Sequence, residues 1–157
     1  AGQSIGMPGA MALPPWPPAA RPAGNEATSG DDMPIDSKQP YDDQNIFARI
    51  LRGELPCKKV LETEHSLAFH DINPLAPTHV LVIPKGAYVS WDDFTQRASD
   101  AEIGDLARAV GEVARMTGAD GDGYRLLSNV GRHGGQEVPH LHVHLFGGGP
   151  LGPMLAR

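Results

Sequence analysis

Three of the seven histidines in this sequence fall at alternate positions, in His140-Leu141-His142-Val143-His144-Leu145-Phe146. Successive side chains on a β-strand point to opposite faces. A strand here puts His140, His142 and His144 on one face, and Leu141, Val143 and Leu145 on the other, against a core. Four uses fit three in-line imidazoles. They can be satisfied core residues, metal ligands, a nucleophile with neighbours that bind and orient, or a binding site for an anion. Same-face neighbours lie about 7 Å apart, so the outer pair is about 13 Å apart at Cα. Gathering all three on one ion through metal–nitrogen bonds of about 2 Å is difficult on a straight strand.

The residues just before the triad narrow the choice. Gly131-Arg132-His133-Gly134-Gly135-Gln136-Glu137 reads as a glycine-rich loop leading into the histidine strand. Glycines let backbone N–H groups approach an anion closely and converge on it. Gly-Gly alone marks any turn, but Gly134-Gly135-Gln136-Glu137 running into His-x-His-x-His brings an anion to imidazoles.

Composition bounds the remaining possibilities. A chain of 157 residues is enough for one domain with a core, and a net charge of −6 argues against a nonspecific nucleic-acid binder. A small nucleotide, held by a few local groups, is still allowed. Cys57 is the lone cysteine, which fits a reducing compartment and a cytoplasmic location. No run is long enough for a membrane-spanning helix, and nothing resembles a secretory signal or transit peptide.

Several elements must position the histidines. Residues 1–40 hold 8 of the 15 prolines and no apolar periodicity, so they read as a tail or arm, with Trp16 as a possible docking residue. A domain is expected over 41–157. Ile46, Phe47, Ile50 and Leu51 form a helical stripe, capped by Asp42 or Asp43 and ended by Gly53. Val60–Glu62 and Ser66–Asp71 read as strands, followed by an extended loop through Asn73-Pro74 and Ala76-Pro77. His79–Pro84 is a β-branched strand closed by proline. Ser99 and Glu102 make a capping box for a helix with Ile103, Leu106, Val110 and Val113 on one stripe and Gly118 as its stop. Tyr124–Val130 is the next strand. Two helices and a mostly antiparallel sheet in this order predict an α+β domain.

At this point the triad resembles the signature of the histidine triad (HIT) superfamily: His, apolar, His, apolar, His, apolar, apolar. Ala68-Phe69-His70-Asp71-Ile72-Asn73-Pro74, Ala76-Pro77-Thr78-His79 and Leu81-Val82-Ile83-Pro84-Lys85 resemble the nucleoside-binding segment of the Hint branch. Ile46-Phe47-x-x-Ile50 is similar to the N-terminal helix of that branch. The likeness spans residues 41 to about 150.

The resemblance implies a HIT-like fold, usually a homodimer whose sheets join, and binding of purine nucleoside monophosphates. It implies hydrolysis of the P–N bond of nucleoside phosphoramidates, such as adenylated amines, with no cofactor and no metal. His142 matches the nucleophile, and His79 and His140 match supporting histidines. His144, Asn129 and the backbone of Gly135 match phosphate contacts, with Gln136 and Glu137 in the same segment. Asp71 matches the carboxylate on the ribose hydroxyls. Ile46, Phe47, Phe69 and Ile72 match the apolar walls around the base.

Imidazole chemistry is compatible with these roles. A neutral imidazole nitrogen attacks phosphorus well near pH 7, because its ordinary pKa is about 6.5. Its other nitrogen should donate to a fixed acceptor. Groups aimed at the nonbridging oxygens oppose the charge that gathers there.

Two departures stand out. Many Hint proteins carry serine where Glu137 sits, and a carboxylate repels phosphate, so the backbone of Glu137 is the part expected to meet it. Leu151–Arg157 also lacks the tryptophan-containing tail of some members. Gly147-Gly148-Gly149 favours the Hint branch over dinucleoside polyphosphate hydrolases, and a glutamine in place of His144, which would suggest the nucleotidyltransferase branch, is absent. A dinucleoside polyphosphate hydrolase and a nucleotide-binding interaction module are the alternatives.

Overall fold

The computed structural model describes residues 34–156, so the expectation for Trp16 lies outside the described residues. These described residues form one compact unit. Its elements are α1 (Ile46–Leu51), β1 (Lys59–Glu62), β2 (Ser66–His70), β3 (Thr78–Pro84), α2 (Trp91–Arg97), α3 (Asp100–Met116), β4 (Arg125–Leu127), α4 (Gly131–Gly134) and β5 (Val143–Gly147). The five strands make one sheet in the order β1-β2-β3-β5-β4, and every pairing is antiparallel. The α+β expectation holds. Among the described residues no helix is long and apolar enough to cross a membrane.

Alternation along the strands divides the core in two. Ala68, Val80, Val82, Leu141, Val143 and Leu145 turn to one face and pack on Leu106, Val110 and Val113 of α3. Leu67, Phe69, Leu81 and Ile83 turn to the other and pack on Phe47, Ile50 and Leu51 of α1. His144 of β5 and His79 of β3 share the α1 face, because His144 pairs with Leu81 and Phe146 with His79.

Local chemistry sets the helix ends. Ser99 caps α3, and the Glu102 side chain returns to the Ser99 backbone, completing the expected capping box. Gly118 follows this helix with φ +74°, a conformation glycine adopts at little cost. The cap of α1 differs from expectation. Asn45, not Asp42 or Asp43, accepts from Phe47 and Ala48 N–H, at 3.0 and 2.9 Å. Asp42 instead accepts at Oδ1 from Gln44 N–H, and its carbonyl receives the Asn45 amide.

Four helices are present among the described residues, where two were expected. Helix α2 has seven residues and one fully buried apolar anchor, Phe94, so it leaves no repeating stripe. Replacing Phe94 with alanine should cost about 3–5 kcal/mol.

Two strands are shorter than expected. β4 ends at Leu127 because the Ser128 hydroxyl turns to the His142 carbonyl, 2.9 Å away. β5 begins at Val143, and its ladder with β3 ends at the Val82–Val143 pair. Upstream, the Leu141 N–H leaves the sheet to bond the Tyr88 carbonyl at 2.8 Å. The stretch 140–142 nevertheless keeps the alternation, with Leu141 in the α3 core.

Candidate active site

The triad is an assembly of one-way hydrogen bonds. A carbonyl oxygen only accepts, so a ring nitrogen bonded to one must carry the proton. His140 Nε2 lies 2.9 Å from the Pro84 carbonyl and donates to it. Its Nδ1 is therefore bare and receives the Tyr41 hydroxyl at 2.6 Å. His142 Nδ1 lies 2.7 Å from the His140 carbonyl and donates to it. The lone pair of His142 is thereby placed on Nε2.

A second chain of bonds fixes His144. The Leu75 N–H donates to His79 Nδ1 at 3.2 Å, so the His79 proton sits on Nε2. That nitrogen lies 2.9 Å from His144 Nδ1, which must accept. Neutral His144 then carries its proton on Nε2. His142 and His144 thus present opposite functions: one offers a lone pair, the other an N–H. Their ring centroids are 5.0 Å apart. Among the described residues no fully buried side-chain nitrogen or oxygen lacks a hydrogen-bond partner. Neither Nε2 has a hydrogen-bond partner among the described residues, so neither is sealed within them.

Burial keeps all four imidazoles neutral at pH 7. It pushes His140 down to about 4. It pushes His144 to about 4 as well, reinforced by the neighbouring His142 and His79. Burial also lowers His142, opposed by its bond to the His140 carbonyl and by the Glu137 and Asp71 carboxylates. His79 is lowered by burial and opposed by Asp71.

Apolar rings hold these imidazoles in place. Phe47 meets the edges of Phe69, His140 and His142, with centroids at 5.6, 6.3 and 5.1 Å. Phe146 stacks on His144 at 5.5 Å and lies 4.2 Å from His79. Phe47 and Phe69 are thus buried beneath the histidines, as two of the four apolar wall residues expected around a base. Ile46 is half-exposed and Ile72 is 92% exposed, so of the four expected wall residues these two offer open apolar surface.

The two carboxylate oxygens of Asp71 have different neighbours. One oxygen caps the following turn, accepting from Asn73 N–H at 2.8 Å. The other lies 3.5 Å from His79 Nε2, at the edge of the triad.

The expected glycine loop is a helical turn. α4 spans Gly131–Gly134 and ends on Gly135 in the left-handed region, φ +71°. The Gly135 and Gln136 N–H groups close this turn on the Arg132 and Gly131 carbonyls, so neither points freely at an anion. The Gln136 side chain also turns inward. Its oxygen accepts from Gly131 N–H, and its amide donates to the Val89 and Val138 carbonyls. Gln136 therefore braces the turn, and its side chain does not face the site. Glu137 is exposed, and its N–H makes no hydrogen bond among the described residues. Asn129 packs beside Gly134 and is half-buried.

Ligand atoms of Asp71, His79 and His144 lie within 4.8 Å of one another. This group differs from the in-line triad, and its two facing imidazole nitrogens are occupied with each other.

Sequence reasoning missed four participants. The partners of Tyr41 and of the Pro84 carbonyl are distant in sequence and carried no local signal. The Leu75 N–H was hidden within a proline-rich loop. Phe146 was visible in principle, because it extends the histidine alternation by one more step.

A five-stranded antiparallel sheet with paired, tautomer-fixed histidines on the face opposite its long helix defines a class of histidine-based domains. Residues 52–151 match the HIT domain, and the chain belongs to that family. It is 70% identical over 117 residues to an uncharacterised 13.2 kDa HIT-like protein of Azospirillum brasilense, covering 74% of this chain and 96% of that one. It is 44% identical to the purine nucleoside phosphoramidase of Escherichia coli strain K12, covering 73% of this chain and 96% of the relative. A solved HIT family hydrolase from Clostridium thermocellum superposes with a TM-score of 0.66 at 39% identity, covering 73% of this chain and 98% of that one.

Proposed function

We propose that this chain hydrolyses the P–N bond of purine nucleoside phosphoramidates through a nucleotidyl-His142 intermediate. The observation that carries the reading is the bond from His142 Nδ1 to the His140 carbonyl. A protonated Nδ1 fixes the lone pair on an accessible Nε2, and burial keeps the ring neutral. The E. coli relative, named a purine nucleoside phosphoramidase, supports the substrate class.

In the first step Nε2 attacks phosphorus, and the P–N bond breaks as the N–P bond forms. The expelled nitrogen takes a proton from a site water and leaves as the amine. The His144 Nε2–H and the Glu137 N–H oppose charge on the nonbridging oxygens. Asn129, beside the glycine turn, is a third contact. In the second step water attacks phosphorus, the bond to Nε2 breaks, and the nucleoside monophosphate leaves. The proton lost by that water balances the one taken by the amine. Asp71 holds the ribose hydroxyls, and Ile46 and Ile72 cover the base.

The functional unit in this reading is a homodimer. β4 is an edge strand, and beside it opens an apolar groove of about 490 Å³ lined by Trp91, Ile103, Val110, Leu126 and Val143. A twofold partner would continue the sheet and cover this groove.

Turnover of adenosine 5′-phosphoramidate, measured beside a dinucleoside polyphosphate, tests the proposal. Release of ammonia and AMP should dominate. Preferential cleavage of the polyphosphate would overturn it.

A further inference from the structure

We infer that Tyr41 is a positioning residue: its hydroxyl holds His140 in a single tautomer and, through the His140 carbonyl, aims the nucleophile His142. This rests on the reading of His142 as the nucleophile. Tyr41 lies outside the matched family segment, residues 52–151, and is not among the residues to which the resemblance gives a role.

The geometry is a three-point clamp on a ring that is fully buried. The Pro84 carbonyl accepts from the Nε2–H, and the Tyr41 hydroxyl donates to Nδ1 at 2.6 Å. The two rings also meet edge to face, with centroids 5.6 Å apart. The third point is the Phe47 ring, which touches His140 and His142 alike.

With both nitrogens occupied, the His140 ring can neither flip nor change tautomer without breaking a buried hydrogen bond. Its backbone is thereby held, and its carbonyl is the acceptor that fixes the His142 proton on Nδ1. Supporting partners of this kind orient a catalytic imidazole without touching the substrate.

The segment carrying Tyr41 is itself anchored to the site. Ser37 lies against Gly131 at the start of α4, about 3.6 Å from where a side chain there would begin. A turn closes Asp36 on Gln39, with N–H to carbonyl at 3.0 Å. Residues 36–41 thus pass from the glycine turn to the triad, joining the expected phosphate side of the site to its nucleophile.

Tyr41→Phe keeps the ring and removes the hydroxyl. The wild type and the variant would be compared in the full chain, by steady-state kinetics on adenosine 5′-phosphoramidate and by long-range ¹H–¹⁵N spectra of the histidine rings. In the wild type, a Tyr41 hydroxyl proton protected from exchange should couple to His140 Nδ1. In the variant, the His140 Nδ1 resonance should move to that of an unbonded acceptor and the His142 Nδ1–H resonance should shift with it. The value of kcat should fall about tenfold, with KM changed less than about twofold. An unprotected Tyr41 hydroxyl in the wild type, an unmoved His142 resonance in the variant, or an unchanged kcat would each overturn the inference. A wild type that turns over no phosphoramidate would defeat the functional reading instead, and the spectra would still test the clamp.

Discussion

The Nδ1 of His142 lies 2.7 Å from the carbonyl oxygen of His140, two residues earlier in the same extended stretch. Alternation puts both rings on one face of the sheet, and the backbone between them supplies the acceptor. The tautomer of His142 is therefore set by the backbone stretch that carries it. His144, two residues later, takes the opposite tautomer because its Nδ1 must accept from His79.

The depressed imidazoles predict the acid limb of activity. Burial lowers His142, so kcat/KM should hold constant as pH falls toward about 6.5 and decline only below it. A midpoint above 6.5 in the pH–rate profile would contradict this.

The same groups predict how stability follows pH. Between about 6.5 and the folded value of about 4, His140 binds a proton in the unfolded chain and refuses it in the folded one. The unfolded state then holds more protons, so stability falls as pH falls through that window. Above it the group contributes nothing. The slope from His140 is at most about 1.4 kcal/mol per pH unit. Urea midpoints measured from pH 7 to pH 4 should decrease steadily, and a midpoint that rises on acidification would count against buried neutral histidines.

Asp71 presents one oxygen near His79 and uses the other to cap a turn. Asp71→Ala should weaken nucleoside monophosphate binding by about 1–3 kcal/mol, the usual cost of leaving polar partners unpaired. Titration calorimetry with a 2′,3′-dideoxy ligand should show a much smaller loss. Equal losses for the two ligands would mean that Asp71 does not hold the ribose.

Metal removal should leave turnover unchanged. The proposed steps need a lone pair on His142 and an N–H on His144, and the facing nitrogens of His79 and His144 are already bonded to each other. Activity that vanishes on exhaustive chelation and returns with zinc would refute the mechanism.

The sequence conveyed the sheet face far better than the hydrogen bonds on it. Alternation at Leu141, Val143 and Leu145 was enough to separate core from site, because strand periodicity is a local property. The capping box at Ser99 and Glu102 was legible for the same reason. The helical turn at Gly131 was not, since its glycines also suit an open loop. The inward turn of Gln136 depends on the Val89 carbonyl, 47 residues away. Tyr41 and His140 are 99 residues apart and meet only in the folded chain.

The most direct test of the mechanism is the site of the covalent bond. Of the four site imidazoles, His142 combines a bare Nε2 with a proton fixed on its other nitrogen by the His140 carbonyl. Enzyme quenched without acid during turnover of adenosine 5′-phosphoramidate, then digested and weighed by mass spectrometry, should carry a nucleotidyl mass on His142. His142→Ala should abolish both the adduct and turnover. An adduct on His140, His144 or His79, or turnover that survives His142→Ala, would contradict the account.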